Sequence, residues 1–368
     1  MKFCVERAAF LDAVSKLQKV VGAKTSMPVL EGILISAEAG LLTMAAYNLE
    51  MGMKKEMYAK CEEEGDIVIN ARLLSDILRR LGGVQVEIEA DDRLMCHIRS
   101  GEAVFDIMGM ASSDFPEMPS VSDGEKLSLE GETLCDMVKG TIFAVAQIEG
   151  TRPILTGINI SIKNGILQFV GIDGYRLAIR RQKINIDRDI EFIVSGRAVN
   201  EVVKLIDENV SEVNITVGQR LVSFEIGGYV FISRLLEGEF VNYEKLIPAE
   251  YKQLAIMNSS EIINTVERVS LLINDTFSTP IRCVFEPDNV IISCATSMGR
   301  AKELYRLKLD GEPFEIGLNS RYLLDALKAC DQGNVLFRFN GSNAGVTIIS
   351  ADEGNNDFLY LIMPMRLK

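Results

Sequence analysis

The chain has 368 residues, with 39 basic and 52 acidic side chains for a formal charge of −13, and 48% of its residues are apolar. That is too long for one ordinary core and suits two or three domains of about 100 to 200 residues, while the apolar share excludes disordered and fibrous classes. A single histidine, His97, leaves Ser-His-Asp, Cys-His and multi-histidine zinc sites without their usual material, and seven cysteines never closer than eleven residues form neither a metal clip nor a disulfide framework.

In chain order, Met1 to Arg7 carries charges where a signal peptide needs an apolar run. No stretch reaches the roughly 18 apolar residues of a membrane span, so the expectation is a soluble cytoplasmic protein without a membrane partner. Apolar residues at Phe10, Leu11, Val14, Leu17 and Val21 recur at spacings of three and four and predict a helix over 7–20. Leu73, Leu74, Ile77, Leu78 and Leu81 predict another over 72–81. Comparable patterns mark 133–146, 197–206, 261–272 and 321–330. Between them, β-branched runs at 84–88, 213–217, 222–226, 290–293 and 346–349, bounded by Gly, Asn and Asp, predict strands. His97 sits in one such run, Leu94-Met95-Cys96-His97-Ile98, and reads as structural. The fold class is α+β with mostly antiparallel sheets. Neither a GxGxxG nor a GxxxxGK[ST] motif opens a helix, which argues against a nucleotide-binding doubly wound fold.

One unit is written three times. Pro28-Val29-Leu30-Glu31-Gly32-Ile33 returns as Pro153-Ile154-Leu155-Thr156-Gly157-Ile158 and, more faintly, as Pro280-Ile281-Arg282-Cys283-Val284-Phe285. Asn70-Ala71-Arg72-Leu73-Leu74 returns as Ser195-Gly196-Arg197-Ala198-Val199 and Asn319-Ser320-Arg321-Tyr322-Leu323. Three similar domains follow, 1–121, 127–247 and 250–368, each with two helices. The connectors fall near Pro119 to Glu125 and Pro248 to Tyr251, where Pro, Gly, Ser and charge gather.

Charge is not spread evenly. The six helical spans hold twelve basic residues against seven acidic ones, so the remainder carries more than the whole negative charge. If the helices share one side, that side attracts a polyanion while the rest repels it. Arg72, Arg197 and Arg321 recur in the first turn of the equivalent helix in each repeat. A cation there opposes the helix dipole, so local helix stability does not explain the choice.

Four segments together carry a family resemblance: Met1-Lys2-Phe3 with Val5-Glu6-Arg7, Thr151-Arg152-Pro153-Ile154-Leu155-Thr156-Gly157, Asp173-Gly174-Tyr175-Arg176-Leu177-Ala178, and Met363-Pro364-Met365-Arg366-Leu367. Over its whole length the chain resembles the bacterial sliding clamps, the beta subunits of DNA polymerase III. The resemblance implies the DNA-clamp fold and a head-to-tail dimeric ring, with helices lining a central hole and sheets forming the rim. It also implies a processivity factor with no catalytic activity, cofactor or metal of its own. Such a ring encircles double-stranded DNA without reading sequence and tethers the polymerase III catalytic subunit. Other polymerases and repair proteins would bind through short peptide motifs, and an ATP-dependent clamp loader would place the ring on DNA. By similarity, Lys24, Arg72, Arg79, Arg80, Arg152, Arg197, Lys204 and Arg321 are expected to face DNA. Leu155, Ile172, Gly174, Tyr175, Arg176, Leu177, Val241, Asn242, Leu246, Met363, Pro364, Met365 and Arg366 are expected to form the peptide pocket. Unbranched, polarizable Met suits a groove that repacks around different anchors. Val241 stands where the family commonly has proline, Lys245 where arginine is frequent, and Lys368 adds a residue to the usual ending. Phe105 and Ile107 of the first domain and Leu271 and Leu272 of the third are expected at the subunit interface.

Two other function classes compete. An enzyme acting on a soluble anionic substrate would use the acidic groups Asp91-Asp92 or Glu62 to Glu64, which read more simply as solvated loop charge. A scaffold binding only proteins would keep the repeats but give the recurrent arginines no purpose.

Overall fold

Asparagine side chains fix where three of the helices begin. In the computed structural model, which describes residues 1–22, 26–147, 152–274, 279–331, 333–352 and 354–367, Asn70 Oδ1 accepts the Leu73 amide at the start of α2 (Ala71–Arg80). Asn258 caps α5 (Ser259–Ser270) through the Glu261 amide, and Asn319 caps α6 (Ser320–Ala329) through the amides of Arg321 and Tyr322. Such a cap stabilises a helix by about 1 kcal/mol. The remaining helices are α1 (Arg7–Leu17), α3 (Gly131–Lys139) and α4 (Gly196–Val203). All six fall where apolar periodicity placed them, but α3 ends well short of residue 146. At Gly140 the chain leaves the helix, and the Thr141 hydroxyl donates to the Met137 carbonyl as a short 3-10 turn, Ile142–Ala144, follows.

Every named strand pairing is antiparallel, and the packing follows the sheets. One packing unit comprises Met1–Leu134 with Arg197–Leu235. It holds a five-stranded sheet in the order Lys60–Glu63, Lys2–Glu6, Gln85–Ala90, Met95–Ser100, Ala103–Met108. Its eight-stranded sheet starts with four strands of the middle repeat, ending at Tyr229–Arg234, which pairs with Met51–Tyr58 of the first repeat. The other unit comprises Cys135–Gly196 with Leu236–Lys368. Its nine-stranded sheet joins the repeats in the same manner, where Arg176–Lys183 pairs with Phe358–Ile362. A four-stranded sheet in the same unit ends at Gly299–Arg306.

Helices α1, α2, α5 and α6 each bury one face against strands. On α2 these residues are Ala71, Leu74, Ser75, Ile77 and Leu78, and on α5 they include Ile262, Val266 and Val269. Under α5 and α6, Phe285 stacks on Phe314 at 4.8 Å and both rings lie against Phe339. Burying side chains of this size contributes roughly 2 to 3 kcal/mol each. Arg7, counted as a helix cation from sequence, donates to the carbonyls of Gly83 and Leu78 and ties α1 to the end of α2. Among the described residues no helix is long and apolar enough to cross a membrane.

Candidate functional site

The turn Asp173 to Arg176 builds one wall of a groove. Asp173 Oδ1 accepts the amides of Tyr175 and Arg176, and Gly174 between them has φ +92°, a left-handed conformation that glycine adopts without strain. The opposite wall is the chain end. The Met363 amide donates to the Tyr175 carbonyl at 2.8 Å and the Met365 amide to the Gly317 carbonyl at 2.8 Å. A Cβ on Gly317 would lie 2.6 Å from the Met365 carbonyl oxygen, so only glycine admits this strand so closely. The resulting cavity of about 500 Å³ is lined by Tyr175, Arg176, Met363, Pro364 and Met365. Asp173, Val145, Ala146, Gln147, Asn319, Arg321 and Tyr322 complete it.

Arg176 organises the floor. Its guanidinium donates to Asp173 Oδ2 at 2.9 Å and to Asp325 Oδ2 of α6 at 2.7 Å, and stacks 4.2 Å from the Tyr322 ring centroid. A planar cation bonded at its edge and stacked on its face holds one orientation. Burial, reinforced by the Asp173 carboxylate, raises the Tyr322 hydroxyl above the ordinary tyrosine range.

Beside the groove, Ile172 and Leu177 belong to an apolar cluster with Val170, Ile179 and Leu361, and Leu155, Phe240, Tyr243 and Ile247 pack on it. Leu177 is only 1% exposed, whereas Leu246 is 49% exposed and Asn242 is open to solvent. Val241 is half-buried, and Arg366 instead lines a hollow of about 710 Å³ with Arg282, Arg300 and Lys302.

The expected DNA-facing cations separate into groups. Arg72 and Arg79 are exposed on α2, and Arg197 is exposed as the second residue of α4. Arg80 donates to the Asp76 carbonyl, and Lys204, just beyond α4, to Glu201 at 2.7 Å. Arg152 is exposed in its loop, while Lys24 and Lys368 lie outside the described residues. Arg321 keeps the helical position of its counterparts but lines the groove. Within the observed helix bounds the balance is ten basic to eight acidic, a smaller surplus than the longer expected spans gave, because Lys19 and Lys204 fall outside and Glu132 inside.

The remaining candidates lie on an edge strand and just beyond α5. Phe105 is 37% exposed and Ile107 half-buried on Ala103–Met108; Leu271 follows α5 at 78% exposure, and Leu272 packs on the adjacent core. The acidic pairs have structural work. Asp91 caps its turn by accepting the amides of Met95 and Arg93, which holds its carboxyl below the usual range, and Glu62 bridges Lys2 and Lys60. Among the described residues no three His, Cys, Asp or Glu side chains gather as a metal site.

Three family models match in succession: the DNA polymerase III beta subunit N-terminal domain over 1–119, its central domain over 128–242 and its C-terminal domain over 244–366. The chain belongs to the DNA polymerase III beta subunit family. The beta sliding clamps of Bacillus subtilis and Halalkalibacterium halodurans are 29% and 30% identical, each aligned over 100% of both chains. The crystal structure of the Bacillus subtilis sliding clamp superposes with a TM-score of 0.94 at 28% identity, and a beta subunit from Eubacterium rectale with 0.93 at 28%, both over the full length of both chains. The fold is thus that of the sliding clamps, processivity factors that work with DNA and a polymerase and have no catalytic activity of their own.

Of the residues expected at the peptide pocket, Tyr175, Arg176 and Met363 to Met365 line this groove, together with Tyr322 and Asn319, which the sequence does not single out for it; nor does it single out Asp325, which holds Arg176. A signal was present. At the position after the recurrent arginine the first two repeats carry Leu73 and Ala198, and the third carries an aromatic, Tyr322.

Proposed function

We propose that two copies of this chain close head to tail into a ring around duplex DNA and hold the replicative polymerase there, in the cytoplasm. The observation that carries this reading is the match of all three repeats, in order, to the three beta subunit domains. Phe105 and Ile107 of one copy would meet Leu271 and Leu272 of the other. Arg72, Arg79 and Arg197, with Arg80, Arg152, Lys204 and Lys24, would meet phosphates through flexible, salt-sensitive contacts that read no base and so permit sliding. Arg321 would serve the groove.

The groove between Tyr175 and Met363 would take short peptides from the polymerase III catalytic subunit, the clamp loader, and other polymerases and repair proteins in turn. Apolar anchors would lie on Met363, Leu246 and the cluster around Leu155, Ile172 and Leu177, with Val241 and Asn242 at the rim. A few such anchors supply most of an interface's energy. ATP hydrolysis would belong to the loader, because no phosphate-binding loop occurs in this sequence.

Topology supplies the test. After loading, the protein should stay on nicked circular DNA at high salt and be lost within minutes of linearisation, and its solution mass should be twice 40.7 kDa. Equal retention on linear and circular DNA would refute the ring.

A further inference from the structure

Three repeats joined in one chain make two sheet junctions between repeats, and among the described residues one further pair of equivalent strands stays at sheet edges. Hairpin register identifies the equivalent positions. Cys96 faces Ile107 as Val222 faces Ser233 and Val346 faces Ile362. Likewise Ala46 faces Met53 as Gly171 faces Ala178 and Cys294 faces Ala301. Ala103–Met108 is therefore the counterpart of Tyr229–Arg234 and Phe358–Ile362, and Gly299–Arg306 that of Met51–Tyr58 and Arg176–Lys183. The other four strands pair within the chain, whereas Ala103–Met108 and Gly299–Arg306 are sheet edges.

Both internal junctions have one register in this frame. Phe231 faces Met53 and Tyr360 faces Ala178; next to them, Ile232 faces Gly52 and Leu361 faces Leu177. Carried to the open edges, that register sets Phe105 against Ala301 and Asp106 against Arg300. Side-chain size and exposure agree with it. Phe105 and Ile107 would land on Ala301 and Gly299, which are too small to obstruct them, and a Cβ on Gly299 would lie 3.7 Å from Leu272. Val104, Asp106 and Met108 are exposed on one edge and Met298, Arg300 and Lys302 on the other.

The open junction differs from the internal ones in charge. Where they place Ile232 with Gly52 and Leu361 with Leu177, it would place a carboxylate with a guanidinium. Asp106, whose side chain is 59% exposed, is held at 2.5 Å by His97 Nδ1 of the neighbouring strand. Resting on the two-copy reading above, we infer that Asp106 of one copy pairs with Arg300 of the other, and that this pair sets the register and salt sensitivity of the junction that opens. A covalently tethered junction can be apolar, because its edges are always covered. An edge that must separate in water is better charged, since a bare apolar edge invites wrong partners.

The test uses full chains and measures mass by light scattering and sedimentation. Wild type should be a dimer whose dissociation rises with NaCl. Asp106→Arg alone and Arg300→Asp alone should each weaken dimerisation by about 100-fold or more, since like charges then face each other at both junctions. Mixing these two variants should restore a one-to-one dimer, because both junctions become complementary again, and this rescue also shows that each variant is folded. The Asp106→Arg, Arg300→Asp double variant should dimerise with itself. A wild-type dimer that either single change leaves intact, or failure of the mixture to dimerise, would overturn the pairing while leaving the two-copy ring standing. A monomeric wild type would overturn both.

Discussion

Arg176 is 8% exposed at its side chain and answers two carboxylates, Asp173 and Asp325, while covering Tyr322. Removing the cation would leave Asp173 at 12% exposure without its partner, and breaking a buried pair from one side costs about 3 kcal/mol. Arg176→Ala should lower stability by about that amount in urea denaturation and weaken peptide binding in calorimetry. Arg176→Lys should recover little of either, because an ammonium cannot bond two carboxylates at its edge and stack by its face. Lysine performing as well as arginine would show that charge alone matters there. The fourth residue after each recurrent arginine is acidic in all three repeats, Asp76, Glu201 and Asp325, yet only the last is bonded to Arg176. Sequence shows that recurrence but not its use, which depends on a residue 149 positions away.

The strand Phe358–Ile362 ends just before the groove wall, so the wall and the strand can be separated. Deleting 363–368 removes the amides that bond Tyr175 and Gly317 but leaves Phe358–Ile362 paired on both sides. The truncated protein should lose peptide binding by calorimetry while keeping its dimer mass and DNA encirclement. Undiminished binding would mean that the chain end only closes the sheet. Helices were legible at this scale because one apolar stripe per helix faces a sheet, a period that sequence records directly. Their ends were less so. α3 ends at Lys139, and a Cβ on the next residue, Gly140, would lie 3.2 Å from the side chain of Arg180, whose guanidinium is claimed by Asp136 and Asp331.

At the scale of the whole molecule, the recurrent arginines differ in setting: Arg321 lines the groove, whereas Arg72 and Arg197 are exposed on α2 and α4. Changing Arg72 and Arg197 to Glu should weaken retention on circular DNA and flatten its salt dependence, by roughly 0.9 in log-log slope for each phosphate no longer neutralised. Changing Arg321 to Glu should act on peptide titrations instead. A common effect of all three on DNA retention would argue for one shared role. Repeats were readable in the chain because sheet and helix patterns return near every 125 residues. The partition into two packing units was not, because strand pairing between repeats depends on edges that look alike in sequence: Met51–Tyr58 and Gly299–Arg306 are both rich in lysine or arginine, yet the first is paired with another repeat and the second is an edge.

The middle repeat lends one sheet to each neighbour, Tyr229–Arg234 to the first and Arg176–Lys183 to the third. Repeats of this chain are therefore not beads on a string. A gene rearrangement that dropped or exchanged one of them would strip Phe231 and Ile232, or Leu177 and Ile179, of their cover and put a bare apolar edge into water. Replacements at such a seam are viable chiefly in matched pairs, so Leu177 and Leu361, far apart along the chain, should drift together through descent as one inherited unit.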